Sequence, residues 1–154
     1  MYFVRNVPKA TYPGLEAATF AGSYDRPNEF KIVDAVQIVG GWSVTGAWVA
    51  ADGRPYTPPT SIGSVWFPSG ATVNAVAFGA KNSARLPAYN RLDVSSQYDF
   101  NIGGVKSKVG GTLFNVYGRD NVLFYEFETA GQSPAAHEVL MMGRSLNLFF
   151  RVGF

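Results

Sequence analysis

The sequence contains no cysteine and only one histidine, His137. The absence of cysteine excludes a disulfide framework, a thiolate metal site and a cysteine nucleophile. A single histidine beside Glu138 makes neither a metal site nor a catalytic triad, and we expect His137 to be solvated in a loop. The glycine pairs at 40–41, 103–104 and 110–111 do not fit the phosphate-binding patterns GxGxxG or GxxxxGK[ST]. We therefore expect no enzyme activity and no cofactor.

Charge is also scarce in this chain. Charged residues make up 16% of it, whereas roughly 25% is usual in globular domains. The net charge is only +2, and no cluster of Lys and Arg is present, which argues against a nucleic-acid partner. The chain has no apolar run long enough for a transmembrane helix. Residues 1–14 lack the apolar region of a secretory signal peptide, so any addressing segment would be missing from this chain.

Alternation of apolar with polar residues predicts two-faced β-strands in several stretches. In residues 91–100 the even positions are apolar except Ser96, and the odd positions are polar or charged. In residues 145–154 the even positions form a wholly apolar stripe. That stripe consists of Leu146, Leu148, Phe150, Val152 and Phe154.

Glycine pairs predict how further strands are joined. Gly40 and Gly41 separate predicted strands at 29–39 and 42–50, and Gly-Gly is a favoured two-residue hairpin turn. Residues 101–104 join the 91–100 strand to another at 105–117, in which Gly110 and Gly111 indicate a bulge or a close contact. Residues 1–8 fit the end of an earlier strand.

The connections between strands alternate between short and long. Short turns at 40–41 and 101–104 alternate with long segments at about 9–28, 51–88 and 117–141, the arrangement typical of outer-membrane barrels. Predicted strands of about 9 to 12 residues match a tilted strand that crosses a membrane. Aromatic residues fall near the strand ends, where membrane barrels place aromatic side chains at the two membrane–water interfaces. Strands favour aromatic residues in any setting, however, so this observation alone does not distinguish the two cases. The sequence predicts an all-β, antiparallel up-and-down meander of about five or six long strands, a sector of a transmembrane β-barrel.

Five segments carry a resemblance to the C-terminal part of a TonB-dependent outer-membrane receptor. They lie in the order and at the spacing of that family and together cover roughly residues 24–154. They are 24-YDRPNEFKIV-33, 48-WVAADGRPYTPP-59, 86-LPAYNRLDVSSQYDF-100, 112-TLFNVYGRDNVLFYEF-127 and 145-SLNLFFRVGF-154.

The resemblance implies an integral β-barrel in the bacterial outer membrane. Such receptors import a scarce ligand, such as a metal chelate, a vitamin or a glycan, by means of a plug domain that a TonB-type energy-coupling protein rearranges. Family barrels have 22 strands, so we expect residues 1–154 to be the C-terminal part, with the plug and the N-terminal strands absent before Met1. The expected partners are outer-membrane lipid, the energy-coupling protein acting through the plug, the barrel-assembly machinery and a small-molecule or glycan ligand.

The family resemblance also implies roles for particular residues. Outer loops of such receptors contact ligand, which makes the Arg and aromatic residues of segment 51–88 candidate contacts. The apolar stripe that ends on Phe154 resembles the signal recognised by the barrel-assembly machinery, through strand addition at a sheet edge. The candidate ligand contacts are Arg54, Tyr56, Trp66, Phe67 and Arg85.

Four charged residues lie on the face of the strands that is predicted to line the inside of the barrel. Asp93 and Asp99 lie about 20 Å apart on an extended strand, too far to serve one reaction centre. We expect them, with Arg91 and Arg151, to form ion pairs with neighbouring strands around a wet lumen.

Asp34 falls on the apolar face of its strand, where charge is costly near the bilayer midplane, so a different register or a bulge is expected there.

Two other classes of protein remain open at the level of sequence. A small porin or adhesin barrel would need at least eight strands or closure by several chains. A soluble β-sheet ligand-binding protein would tolerate several charged residues on its apolar face. Apart from Asp34, the clean strands have almost none, which favours the membrane.

Overall fold

The computed structural model of the chain describes residues 2–4, 9–10, 19–128 and 133–153. Its regular secondary structure is entirely β, and none of the described residues lies in a helix able to cross a membrane. The strands are β1 (Tyr2–Val4), β2 (Lys9–Ala10), β3 (Phe20–Ala21), β4 (Glu29–Gln37), β5 (Trp42–Ala51), β6 (Pro55–Tyr56), β7 (Pro59–Trp66), β8 (Thr72–Phe78), β9 (Ala84–Arg85), β10 (Tyr89–Ile102), β11 (Val105–Phe114), β12 (Val122–Glu128), β13 (Ala135–Leu140) and β14 (Ser145–Val152).

Six strands form one antiparallel sheet in the order β1-β4-β5-β10-β11-β14. The order follows the chain, so the sheet is an up-and-down meander, and the predicted all-β antiparallel fold is confirmed. Five of these strands are long, and β1 contributes three residues. Within the described part of the chain the sheet does not close into a barrel, because β1 and β14 each pair on one side only.

Both short turns of the sheet use a pair of glycines with positive φ. Gly40 and Gly41 have φ of 61° and 95°, and Gly103 and Gly104 have φ of 57° and 88°. These values suit a type I′ turn, whose twist matches that of the flanking strands. The first turn confirms the prediction, whereas the second is shorter than residues 101–104 because β10 continues to Ile102.

Gly110 and Gly111 mark a close contact and not a bulge. The pairing of β11 with β10 and with β14 runs through them without a shift in register. A Cβ at Gly110 would lie 2.6 Å from the carbonyl oxygen of Ser96 and 2.7 Å from Cζ of Phe149. A glycine is therefore needed for β10, β11 and β14 to lie side by side.

One face of the six-stranded sheet, named here the apolar face, carries most of its large aliphatic and aromatic side chains. Rows of paired residues such as Tyr98, Val109 and Phe150 continue it across the strands. Its residues on the long strands are Phe30, Ile32, Asp34 and Val36 of β4; Trp42, Val44, Gly46, Trp48 and Ala50 of β5; Asn90, Leu92, Val94, Ser96, Tyr98, Phe100 and Ile102 of β10; Val105, Ser107, Val109, Gly111 and Leu113 of β11; and Leu146, Leu148, Phe150 and Val152 of β14.

Asp34 lies on this apolar face, opposite Gly46, in a pairing of β4 with β5 that runs unbroken from Glu29 to Gln37. The expectation of a different register or a bulge at Asp34 was therefore wrong. The carboxylate is exposed, so within this sheet it keeps its hydration and needs no partner.

The opposite face of the sheet, named here the polar face, carries mostly small, polar and charged side chains. Its large apolar or aromatic residues on the long strands are Val33, Val49, Tyr89, Phe114 and Phe149. Asp99 of β10 pairs across the strands with Lys108 of β11 at 2.9 Å, which confirms an expected ion pair. Asp93 instead pairs with Arg91 of its own strand at 2.9 Å. Arg151 lies opposite Lys108.

The sequence had suggested that the long connections are plain loops. The structure shows instead that they contain two-stranded ribbons. Residues 51–88 include the pairs β6–β9 and β7–β8, and the segment after β11 includes the pair β12–β13. His137, expected in a loop, lies in β13 with its exposed ring 3.4 Å from Glu128. All ribbons with described side chains leave the end of the sheet opposite the two glycine turns.

Few hydrophobic side chains are buried anywhere in the described residues. They are Ala51, Leu86 and Val122, each 7–8% exposed, and they lie where the long connections meet the sheet. Globular domains of this size normally bury most of their apolar side chains in a two-layered core. Within the described part of the chain the six-stranded sheet is instead a single layer, and no strand packs extensively on either of its faces.

Candidate ligand-binding cleft

Arg85 holds together three segments at the base of the long connections. Its guanidinium forms an ion pair with Asp25 and donates hydrogen bonds, each 3.1 Å long, to the carbonyl oxygens of Asp25 and Gly53. The Asp25 side chain is buried, and a buried carboxylate is stable only when such a partner offsets its desolvation. Arg85 therefore has a structural role here, and its predicted contact with ligand stays a prediction.

The segment before Arg54 is fixed in position by Gly53 and Asp52. A Cβ on Gly53 would lie 1.6 Å from the carbonyl oxygen of Leu86, so no other residue allows the two backbones to approach so closely. The Oδ2 atom of Asp52 accepts hydrogen bonds from the backbone and side-chain amides of Asn28, at 3.0 and 2.7 Å. These contacts determine where the Arg54 side chain begins.

The segment that leads from β11 to β12 is anchored by Asn115. This residue is 1% exposed and has a φ of 50°, a conformation that asparagine tolerates better than most residues. Its backbone N–H donates to Oδ1 of Asp93 at 3.0 Å, and its side chain bonds the backbone of Arg119 twice. A second amide, Asn121, exchanges two 2.9 Å hydrogen bonds with the backbone of Asn90. The start of β12 is thereby tied to β10.

The two anchored segments meet at Arg54 and Tyr56. Arg54 donates a 2.9 Å hydrogen bond to the carbonyl oxygen of Leu123 in β12. The ring of Tyr56 packs on Tyr125 and Phe127, with centroid distances of 5.1 and 6.3 Å. Aromatic pairs at these distances contribute about 0.5–1.5 kcal/mol beyond the area that they bury. The β12–β13 ribbon is therefore docked on residues 54–56.

A cleft of about 280 Å³ lies at this junction. Of the described residues that line it, Arg54 alone carries a charge, and four of the lining side chains are exposed or half-buried aromatic rings from β6 and β12. Desolvation raises the pKa of Tyr125 above its usual value, and Glu138 and Tyr56 raise that pKa further, so its hydroxyl stays protonated and able to donate a hydrogen bond at neutral pH. The lining residues are Ser23, Tyr24, Arg54, Pro55, Tyr56, Thr57, Leu86, Leu123, Phe124, Tyr125 and Phe127.

The structure brings together only two of the five residues predicted to contact ligand. Arg54 and Tyr56 line the cleft. Trp66 and Phe67 lie at the far end of the β7–β8 ribbon, where β7 alone extends roughly 26 Å along eight residues. Trp66 is 68% exposed, and neither ring lines the cleft. Arg85 lies at the base of the ribbons, as described above.

Sequence reasoning missed Tyr24, Tyr125 and Phe127 as cleft residues. Tyr24 is 82% exposed and is set beside the cleft by the buried Asp25. Tyr125 and Phe127 alternate with Glu126 and Glu128 in β12, a period-2 pattern that predicts a strand with one aromatic face. That pattern was a usable signal in the sequence.

The predicted assembly signal lies on β14. Leu146, Leu148 and Phe150 are 61–73% exposed on the apolar face, and Val152 is also exposed there. Phe154 lies outside the described residues. The other edge of β14 is unpaired within the described part of the chain.

Comparison of the chain with protein-family models, with curated proteins and with solved structures found no match. No cluster of metal-ligating side chains is present among the residues that the structure describes.

Proposed function

We propose that the six-stranded sheet is a sector of the barrel of an outer-membrane active-transport receptor similar to the TonB-dependent family. In this proposal the chain supplies barrel wall, outer ligand-binding ribbons and, in β14, the strand that the assembly machinery recognises. The imported compound is a scarce ligand such as a metal chelate, a vitamin or a glycan.

The observation that carries the proposal is an uncovered apolar face on a single-layered sheet. Burying one large apolar side chain is worth about 1.5–3 kcal/mol, so such a face is unfavourable in water. On β10 the apolar residues run from Leu92 to Ile102, about 33 Å along the strand. A strand tilt of roughly 40° converts this length into a band about 25 Å tall, the height of the apolar band of outer-membrane barrels.

Aromatic side chains at both ends of this band support the same proposal. Near the glycine turns, Tyr98 packs on Trp42 and Phe100, with centroid distances of 5.0 and 5.7 Å. Nearer the ribbons, Phe30 and Trp48 are in edge contact at 5.6 Å. Outer-membrane barrels carry aromatic girdles at both interfaces. The short turns then face the periplasm, and the ribbons with the cleft face the exterior.

The polar face and the cleft fit the remaining parts of a receptor. Ion pairs such as Asp99–Lys108 belong on a wet lumen. The cleft lies on the exterior side, where a ligand would be captured before a plug domain, moved by a TonB-type energy-coupling protein, admits it. A soluble β-sheet protein is less well supported, because only three hydrophobic side chains are buried in the described residues.

Cysteine accessibility tests the proposal, because the chain has no cysteine of its own. Neighbouring single variants on β14, Leu148→Cys and Asn147→Cys, would be compared in outer membranes of cells that make the protein. We expect Asn147→Cys to react with a water-soluble maleimide and Leu148→Cys to resist it. A membrane-permeant fluorescent maleimide should label Leu148→Cys, and its emission should be quenched by lipid-borne nitroxide. Recovery of the protein in the soluble fraction, or equal labelling of the two positions by the water-soluble maleimide, would refute the proposal.

A further inference from the structure

The β7–β8 ribbon differs from the rest of the molecule in having no charge. All 13 basic and 11 acidic residues of the chain lie outside residues 55–80. The ribbon has no extensive contact with any other strand of the described structure, and its Val65, Val73 and Phe78 are exposed. An isolated two-stranded ribbon is at best marginally stable in water. A contact with something else is therefore expected to stabilise it.

The edge of β8 is built to accept another strand. Its seven residues, TVNAVAF, include no proline and no charged residue, the residues with which proteins normally protect exposed strand edges. They also include no glycine, which would weaken strand pairing. β7 is less suitable, because it begins with Pro59 and contains Gly63, which weaken strand pairing. The open backbone groups of β8 therefore favour a partner that is itself a β-strand.

The absence of charge indicates which strand that partner is. When two copies of one strand pair antiparallel about a two-fold axis, residues near the axis face their own counterparts. Any charge near the axis would then face a like charge, which destabilises a cross-strand pair. A strand without charge avoids this repulsion, whereas pairing with a different protein would not require neutrality along the whole ribbon.

We propose that β8 is a self-association site, at which the ribbons of two copies of this chain pair antiparallel through their β8 edges. The pairing joins β7–β8–β8–β7 into a four-stranded sheet. It concerns the edge of β8, which the receptor proposal assigns neither to the barrel wall nor to the cleft, and it would stand if that proposal failed.

Disulfide cross-linking of single-cysteine variants tests the pairing in the whole chain. Cysteine would be placed in turn at positions 73 to 77, and membranes or detergent extracts oxidised. Because a disulfide requires Cα atoms within about 7 Å, cross-linking to a second copy should peak at one position, and we expect Ala75→Cys at the centre of β8. Two residues away it should fall to the level of Ala136→Cys, a control in the charged β12–β13 ribbon. Leu148→Cys reports non-specific association through the apolar face.

A charge placed at the same point supplies the second measurement. Ala75→Lys should convert the dimer to a monomer in sedimentation velocity, with unchanged far-UV circular dichroism, while Ala136→Lys should leave it dimeric. Equal cross-linking at all positions, no cross-linking in β8, or a β8 disulfide formed only with a different protein would each overturn the proposal.

Discussion

At the scale of single residues, Asp34 gives the most direct comparison between a lipid and a water environment. It is the one charged residue that the described long strands place on the apolar face, and it lies opposite Gly46. In water an exposed carboxylate costs nothing there. Against lipid it is unfavourable by an amount that depends on depth, about 1–2 kcal/mol for an acidic residue away from the midplane.

We therefore expect Asp34→Val to stabilise the protein in membranes by about 1–2 kcal/mol, measured by urea unfolding in lipid vesicles. Asp99→Val is the matched control on the polar face, where it removes the ion pair with Lys108 and should give no gain. A loss of stability for Asp34→Val, or an equal change for both variants, would mean that this face does not contact lipid.

A substitution of Tyr56 tests whether the β12–β13 ribbon is held against residues 54–56 or moves independently of them. Tyr56→Ala removes the ring that packs on Tyr125 and Phe127. Losing about 0.5–1.5 kcal/mol of aromatic contact should raise the open population of the β12–β13 ribbon up to about tenfold. Chymotrypsin cleavage within β12, followed by mass spectrometry of the peptides, should accelerate accordingly.

Trp66→Ala is the control for this experiment, because it removes a ring of comparable size at the far end of the β7–β8 ribbon. It should leave cleavage in β12 unchanged. Equal acceleration by both variants would show that Tyr56 does not hold the β12–β13 ribbon.

At the scale of elements, the central strands depend on glycines that sit in two different environments. Gly110 leaves no room for a Cβ between Ser96 and Phe149, whereas a Cβ on Gly46 would meet no atom within 4 Å. We expect Gly110→Ala to destabilise the protein by about 1–3 kcal/mol through overpacking. Gly46→Ala should be neutral or stabilising by up to about 1 kcal/mol. Urea midpoints in detergent measure both, and similar values for the two variants would argue against the close packing of β10, β11 and β14.

The elements differ in how well the sequence predicted them, for identifiable reasons. Strands β10 and β14 were predicted because apolar and polar residues alternate in them with strong contrast. The β7–β8 ribbon was missed because small residues such as Ser61, Gly63 and Ala75 provide no such contrast. The contacts that shape the cleft could not be predicted either. Arg85 finds Asp25 sixty residues away, and only the folded chain brings the two together.

At the scale of the whole molecule, a sheet of one layer cannot be stable with both faces in water. Its apolar face needs an apolar surface, and its two outer strands carry backbone groups without partners in the described structure. Lipid would cover the apolar face, but unpaired backbone N–H and C=O groups are not tolerated in lipid. If the sheet lies in a membrane, as we propose, further strands must therefore continue it, which predicts a measurable difference between the chain alone and the chain in outer membranes.

Hydrogen exchange at the edge strand β14 measures that difference. In an antiparallel pair alternate amides of an edge strand point away from the partner, so half of the amides of Ser145–Val152 should exchange rapidly when the chain is alone in detergent. In the outer membrane a closing strand should protect all of them. β10, flanked by β5 and β11, should be protected in both cases and serves as the internal standard. Rapid exchange of alternate β14 amides in outer membranes as well would mean that the edge is open there, and an open edge is incompatible with a barrel.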